Sequence, residues 1–285
     1  MSALGPGRRV LAAVAATAVI GLTAACSSST PASTGIPVSG TTTSGPTLTI
    51  GVSFDQPGIG MKSGDMLSGF DIDTATYIAK ELGVPAQNII WKEATPAERE
   101  NLLEDGDVDL VVSSYSITDE RKQKVDFAGP YFLAHQDLLV RRNDTSISGP
   151  ETLDGKNLCS VNGTTSAQYI KDHYQGRIQL QEYAKFSECV DALAKGQVDA
   201  VTTDDVILAG FAAQPQYAGA LKVVGKGFTD ESYGVGIKKG DSDRVGKVNA
   251  ALTKFISDGS WQKSLDTYVR PSGYSIPAPP TPGSS

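Results

Sequence analysis

Short apolar runs alternate with stretches of helical period along residues 47–270. Thr47-Leu48-Thr49-Ile50-Gly51-Val52 and Val108-Asp109-Leu110-Val111-Val112 are compact, largely β-branched or aliphatic runs of the kind that make buried strands. Between them, Gly69-Phe70-Asp71-Ile72-Asp73 leads into a helix whose apolar face is Ala75, Ile78, Ala79 and Leu82, closed by Gly83. Thr95-Pro96-Ala97-Glu98 has capping-box spacing with Pro at the first helical position, which predicts a helix from there to Asp105-Gly106. Strand, helix, helix, strand with short links predicts an α/β lobe with a mostly parallel sheet.

The plan then repeats. Lys156 to Val161 is a strand, and Asn162-Gly163-Thr164-Thr165-Ser166 turns into a helix reaching about His173. Glu188 to Lys195 is the next helix, with Gly196 at its end. The run Gly196-Gln197-Val198-Asp199-Ala200-Val201-Thr202-Thr203-Asp204 mirrors Gly106-Asp107-Val108-Asp109-Leu110-Val111-Val112-Ser113-Ser114 at one constant spacing, which puts Ser114 and Asp204 at equivalent strand ends. Past Gly234-Val235-Gly236-Ile237, another strand, come helices at Arg244–Ser257 and Trp261–Tyr268. Residues 271–285, rich in Pro, Gly and Ser, read as a disordered tail.

The densest chemistry follows the Val108 strand. Ser113-Ser114-Tyr115-Ser116-Ile117 is a hydroxyl cluster, Thr118-Asp119-Glu120 reads as a helix start, and Arg121 stands one turn in. Ligands of open α/β sheets bind beyond the carboxyl ends of strands, where helix N-termini offer free N–H groups. A guanidinium there can seat a small carboxylate through two parallel hydrogen bonds. The same stretch also fits a surface Arg paired with Glu120 or Asp126 beside a Ser-rich turn.

Composition narrows the classes. A net charge of −7 with a pI near 4.9 argues against nucleic acid as a partner. Two histidines (His135 and His173) and three cysteines give little material for a metal site, and no cofactor is expected. Arg8 and Arg9 precede an apolar run, Val10 to Leu22, too short for a permanent membrane span, so residues 1–26 read as an export signal. Leu22-Thr23-Ala24-Ala25-Cys26 resembles a bacterial lipobox, with Thr23 where an aliphatic residue is usual, and implies a lipidated Cys26 on the outer face of the cytoplasmic membrane. Residues 27–46 would be a flexible tether. Export leaves Cys159 and Cys189 as an even pair in an oxidising compartment; the expectation is a disulfide closing a loop of about 30 residues, contributing on the order of 3 kcal/mol. Two buried thiols are the alternative.

With these pieces in place, Gly69 to Leu82 resembles the signature of the family 3 extracellular solute-binding proteins of ABC importers, which capture polar amino acids; it departs at Thr74. Ser116 to Arg121, Gly163-Thr164-Thr165 and Val198 to Asp205 are further matches in the expected order. Phe54-Asp55-Gln56-Pro57-Gly58-Ile59-Gly60, Leu158 to Val161 and Thr202 to Asp205 are similar to actinobacterial glutamate-binding lipoproteins, in which a Lys often stands at the position of Ser53. The resemblance implies a type II periplasmic-binding-protein-like clamshell, two α/β lobes joined by two crossovers. Residues 47–132 and 233–270 would form the first lobe and 133–232 the second.

It also implies roles. Arg121, Ser116 and Thr165 would bind the ligand α-carboxylate, Asp204 and Ser114 the α-ammonium, with Thr164 beside them; Phe54 and Gln56 would line the side-chain pocket. Phe54 could instead be core, Gln56 a solvated loop residue and Thr165 a cap of its helix; Lys62 reads as a solvated hairpin residue ahead of a partner for a ligand side-chain carboxylate, and His135 as a hinge or surface residue. The partners implied are a free L-amino acid, with glutamate favoured over aspartate, glutamine and asparagine, and an ABC permease. The rival readings are an amino-acid sensor working through a separate partner, and an exported dehydratase on the same fold. The latter needs a cleft general acid, and Asp204 is the only cleft acid the sequence places.

Overall fold

The computed structural model describes residues 35–38 and 44–284. The export signal, Cys26 and most of the tether lie outside the described residues. In chain order the elements that build the site are β1 (Leu48–Val52), α1 (Phe70–Glu81), β2 (Ile89–Glu93), α2 (Arg99–Glu104), β3 (Leu110–Val111), α3 (Asp119–Lys124), β4 (Val125–Arg141), β5 (Asn157–Val161), α4 (Thr165–Tyr174), β6 (Gln179–Tyr183), α5 (Phe186–Ala194), β7 (Ala200–Asp204), α6 (Asp205–Ala212), β8 (Thr229–Lys238), α7 (Ser242–Ser257) and α8 (Ser260–Tyr268).

Two α/β lobes share one pair of long strands. In the first lobe β2, β1 and β3 are parallel, and β8 joins β3 in antiparallel register, Gly236 opposite Val111. In the second, β6, β5 and β7 are parallel, and β4 joins β7 antiparallel, Asp204 opposite Gln136. The 17-residue β4 serves both sheets: it pairs with β8 from Val125 to Gln136 and with β7 from Gln136 to Val140. A strand of that length spans roughly 55 Å, enough to cross from one lobe into the other.

The internal repeat has a structural job. Gly106 and Gly196 both take positive φ, 75° and 73°, to turn a helix end into a strand. Three residues on, Asp109 Oδ2 accepts from Thr49 N at 2.8 Å, and Asp199 Oδ2 accepts from Asn157 N at 2.9 Å. Each carboxylate ties its strand to the start of the neighbouring parallel strand.

Three expectations need correction. The Thr95 capping-box pair forms (Thr95 Oγ1 donates to Glu98 Oε2, 2.7 Å), but the helix begins only at Arg99, and the residues between make a turn. Part of the tether is ordered: Ile36–Pro37 adds an edge strand antiparallel to Leu67 and Met66, because Ile36 and Val38 are apolar among Ser and Thr, and an edge tolerates Pro. Residues 271–284 are not loose either. The Tyr274 ring lies 6.4 Å from that of Phe132, its hydroxyl donates to Asp205 Oδ1 at 3.0 Å, and Gly283 N donates to Gly129 O at 2.7 Å. Composition reported the polar and Pro content of the tail; one aromatic and Ile276, packed on the core, decide its course.

Cys159 and Cys189 are joined in a disulfide, which fastens α5 to β5. No helix among the described residues is long and apolar enough to cross a membrane.

Candidate ligand cleft

The Val111 strand ends in a turn that is held from behind. Ser114 has φ 41°, the left-handed region that non-Gly residues rarely adopt. Its N–H donates to Asp71 Oδ2 at 2.7 Å, and Tyr131 Oη donates to Asp71 Oδ1 at 2.7 Å. Asp71 is fully buried at the start of α1, and burial pushes its carboxyl up to about 7 against the opposing pull of these two donors and of Arg99. The turn so fixed aims the Ser114 hydroxyl at Gln56 Oε1, 3.0 Å away.

Arg121 is not a surface residue; its surroundings match neither Glu120 nor Asp126 as partner. Thr118 caps α3, its Oγ1 accepting from Arg121 N at 3.2 Å. The guanidinium is 8% exposed and donates from Nη1 to Ser116 O (2.8 Å) and from Nη2 to Gly163 O of the second lobe (3.0 Å). Its acidic neighbour is Glu100, at 3.5 Å from Nε.

A second guanidinium, invisible in the motif reading, stands beside it. Arg99 is 3% exposed, donates from Nη1 to Ser113 O at 2.9 Å, and keeps a buried Nε without a hydrogen-bond partner. Arg99 and Arg121 lie 4.2 and 5.0 Å from the Tyr115 ring centroid, a cation–π arrangement that helps hold two like charges near one another. Burial, then the charge of Arg121, lowers the Arg99 pKa to about 10. The signal in the sequence was an Arg just after the Thr95-Pro96-Ala97-Glu98 start, six residues before the Asp105-Gly106 end, on a helix that was otherwise read only for its caps.

From the second lobe come α4 and β7. Thr164, not Thr165, caps α4: its Oγ1 accepts from Ala167 N at 3.0 Å. Thr165 is the first helical residue, and its hydroxyl donates to Glu231 Oε2 at 3.0 Å. Asp204 ends β7, 5% exposed, with the Tyr233 hydroxyl donating to Oδ2. Burial, and next the charge of Glu231, hold the Asp204 carboxyl well above the ordinary carboxylate range. Glu231, also 5% exposed, is thus a second acid that the sequence reading did not place.

Arg99, Arg121, Gln56, Ser114, Ser116, Thr164, Thr165 and Asp204 line one narrow space between the lobes. Ser166 also lines it, its buried Oγ without a partner. A wider cavity of about 510 Å³, open to solvent, shares Arg121, Thr164 and Thr165 with it. Gln56 is buried, 2% exposed, rather than solvated. Phe54 is half-buried against the core and lines an adjoining space with Ser53 and Lys185, not the one between Arg121 and Asp204. Lys62 lies over the Phe54 ring, 5.2 Å from its centroid, and His135 sits on β4 within 3.6 Å of Asp205 and 3.4 Å of Asp230.

Residues 48–271 match the model of the bacterial extracellular solute-binding proteins, family 3. The glutamate-binding protein GluB of Corynebacterium glutamicum is 45% identical over 229 residues, which cover 76% of this chain and 77% of that protein. The ABC transporter glutamine-binding protein GlnH of Bacillus subtilis is 36% identical over 225 residues, 78% of this chain and 81% of that one. Among solved structures, an ancestral arginine-binding protein bound to glutamine superposes with a TM-score of 0.72 at 36% identity, covering 78% of this chain and 97% of that chain. An ancestral amino acid-binding protein, a precursor of cyclohexadienyl dehydratase, does so at 0.70 and 32% identity, covering 78% and 95%. A crossover pair of strands, a cleft with buried charges from both lobes and this match lead to one conclusion: the chain belongs to the family 3 bacterial extracellular solute-binding proteins.

Proposed function

We propose that the protein is the lipid-anchored substrate-binding component of an ABC importer for a polar amino acid, and that its ligand is glutamate. One observation carries the choice: two buried guanidiniums and a buried carboxylate, Arg99, Arg121 and Asp204, line one space between the lobes. Free glutamate carries two carboxylates and one ammonium, so every ligand charge finds an opposite one, as removal from water requires. In this reading Arg121, with Ser116 and the first turn of α4, takes the α-carboxylate. Asp204, Ser114 and Gln56 face the ammonium end, and Arg99 meets the side-chain carboxylate. The residues come from both lobes, so a bound ligand has differential affinity for the closed form and shifts the population towards it. The similarity to a glutamate-binding protein supports the same choice.

Titration calorimetry with the twenty L-amino acids tests it; glutamate is expected to bind at least about tenfold more tightly than glutamine. Tighter binding of glutamine or arginine would overturn the assignment. The lipid anchor rests on Leu22 to Cys26. Cys26→Ala should release the protein from the membrane fraction, and retention would refute the anchor.

A lyase is the second reading. It draws on the likeness to the dehydratase precursor and on Asp204 with Glu231, two acids of which burial makes the first a proton carrier. Incubation with cyclohexadienyl acids and product analysis by chromatography tests it. The binding-protein reading expects no turnover.

A further inference from the structure

The helix α5 begins without a cap of its own. Its N-cap position is Lys185, whose ammonium has no acceptor to offer the first-turn N–H groups. Lys185 N does donate to Glu188 Oε2 at 3.3 Å, which serves the N-cap amide but not the amides of the first turn. Across the cleft, Asp55 begins a short strand, Asp55–Gln56, that follows β1 in the first lobe and pairs with Met61 and Gly60. Its Oδ2 accepts from Ser187 N at 3.0 Å.

A carboxylate is the best partner for a helix N-terminus, in hydrogen bonding and in charge. Here it is supplied by the opposite lobe. Two neighbouring contacts cross the same gap: Lys185 Nζ pairs with Glu93 Oε1 at 2.8 Å, and the Pro57 carbonyl fits against Gly210 of α6 so closely that a Cβ there would lie 2.1 Å from Pro57 O. The cap borders the ligand space on both sides, since Gln56 follows Asp55 and Phe186 precedes Ser187, and both line that space. Asp55 itself does not line it. The Cys159–Cys189 bridge fastens the same helix to β5.

We propose that Asp55 is a closing latch: by capping α5 from the first lobe it stabilises the closed cleft without touching the ligand. The inference rests on the amino-acid-binding reading and adds to it a device that sets residence time. Opening the cleft uncovers the Ser187 amide, so the cap belongs to the closed state alone. Its loss therefore appears in the dissociation rate, while encounter with the open form is unaffected.

Stopped-flow kinetics with L-glutamate and with L-glutamine on the parent, Asp55→Ala and Asp55→Asn test the latch. Asp55→Ala should speed dissociation of both ligands by the same factor, about 2- to 30-fold, the range for losing an N-cap. Association should be unchanged, and so should the ratio of the two affinities. Asp55→Asn keeps an acceptor oxygen and should lose less. Unaltered dissociation would overturn the proposal, and so would a changed glutamate-to-glutamine ratio, which would make Asp55 a ligand contact. Amide exchange at Ser187, followed with the cleft closed on a bound amino acid, reads the cap directly. Protection in the parent that Asp55→Ala removes supports the latch; fast exchange in both refutes it. A parent that binds neither amino acid would overturn the glutamate reading and leave the Ser187 exchange, followed with whichever of the twenty amino acids does bind, to decide the latch.

Discussion

Asp204→Asn separates what the cleft needs for binding from what it needs for folding. The Asp204 carboxyl is buried, receives a hydrogen bond from Tyr233, and is held well above the ordinary carboxylate range by burial and by Glu231. A carboxyl whose folded pKa is raised binds its proton more tightly in the native state. Its contribution is therefore favourable at low pH and is lost as pH rises from the unfolded value, near 3.8, through the folded one. Asparagine keeps an acceptor for the Tyr233 hydroxyl and carries no charge. The ligand-free variant should accordingly melt above the parent, by about 2–4 °C for each kcal/mol relieved in a chain of this size. The gap should be larger at about pH 8 than at about pH 5. Binding should move the other way: the ligand ammonium loses its counter-charge, at about 2–5 kcal/mol, or roughly thirty- to several-thousand-fold in affinity. Scanning calorimetry of the ligand-free protein at both pH values and titration calorimetry with glutamate measure the two effects. A variant that melts below the parent at both pH values while binding glutamate as tightly would refute the reasoning and make Asp204 a structural residue.

Three further outcomes are expected. Arg99→Met should weaken glutamate by about thirtyfold or more and glutamine by less, because only the former presents a second carboxylate; equal losses in titration calorimetry would place Arg99 at the shared end of the ligand. Asp71, pushed up to about 7 by burial, should make the parent lose stability as pH rises from about 4 to about 7; Asp71→Asn, whose amide can accept from Ser114 and donate to Tyr131, should flatten that slope in melting curves, and an unchanged slope would assign it to other groups. Cys159→Ser with Cys189→Ser removes a bridge across 30 residues and should cost about 3 kcal/mol in urea unfolding; no change would mean the bridge adds nothing to stability.

Local pattern determined a good deal of this protein. The apolar face of α1, the paired Gly turns at 106 and 196, and the strands that lead to Ser114 and Asp204 follow from periodicities and residue types that act within a few positions of one another, although β3 stops at Val111 and Ser114 lies in the turn beyond it. Ser116 and Arg121 carried local chemistry enough to be singled out, Thr164 and Thr165 entered through the family resemblance, and these four line one space with Asp204. What tertiary structure alone decided is every effect of partners distant in sequence. Arg99 falls in a helix read only for its ends, and only the fold sets it against the same Tyr115 ring as Arg121. Asp71 looked like a first-turn acid, yet it holds the Ser114 amide from 43 positions away. Asp55 caps a helix 132 positions on. The tail, polar and Pro-rich, is ordered by where Tyr274 and Ile276 land. Burial and hydrogen-bond partnership depend on which surfaces meet, and a linear pattern of hydrophobic and polar residues fixes each surface without fixing its neighbour.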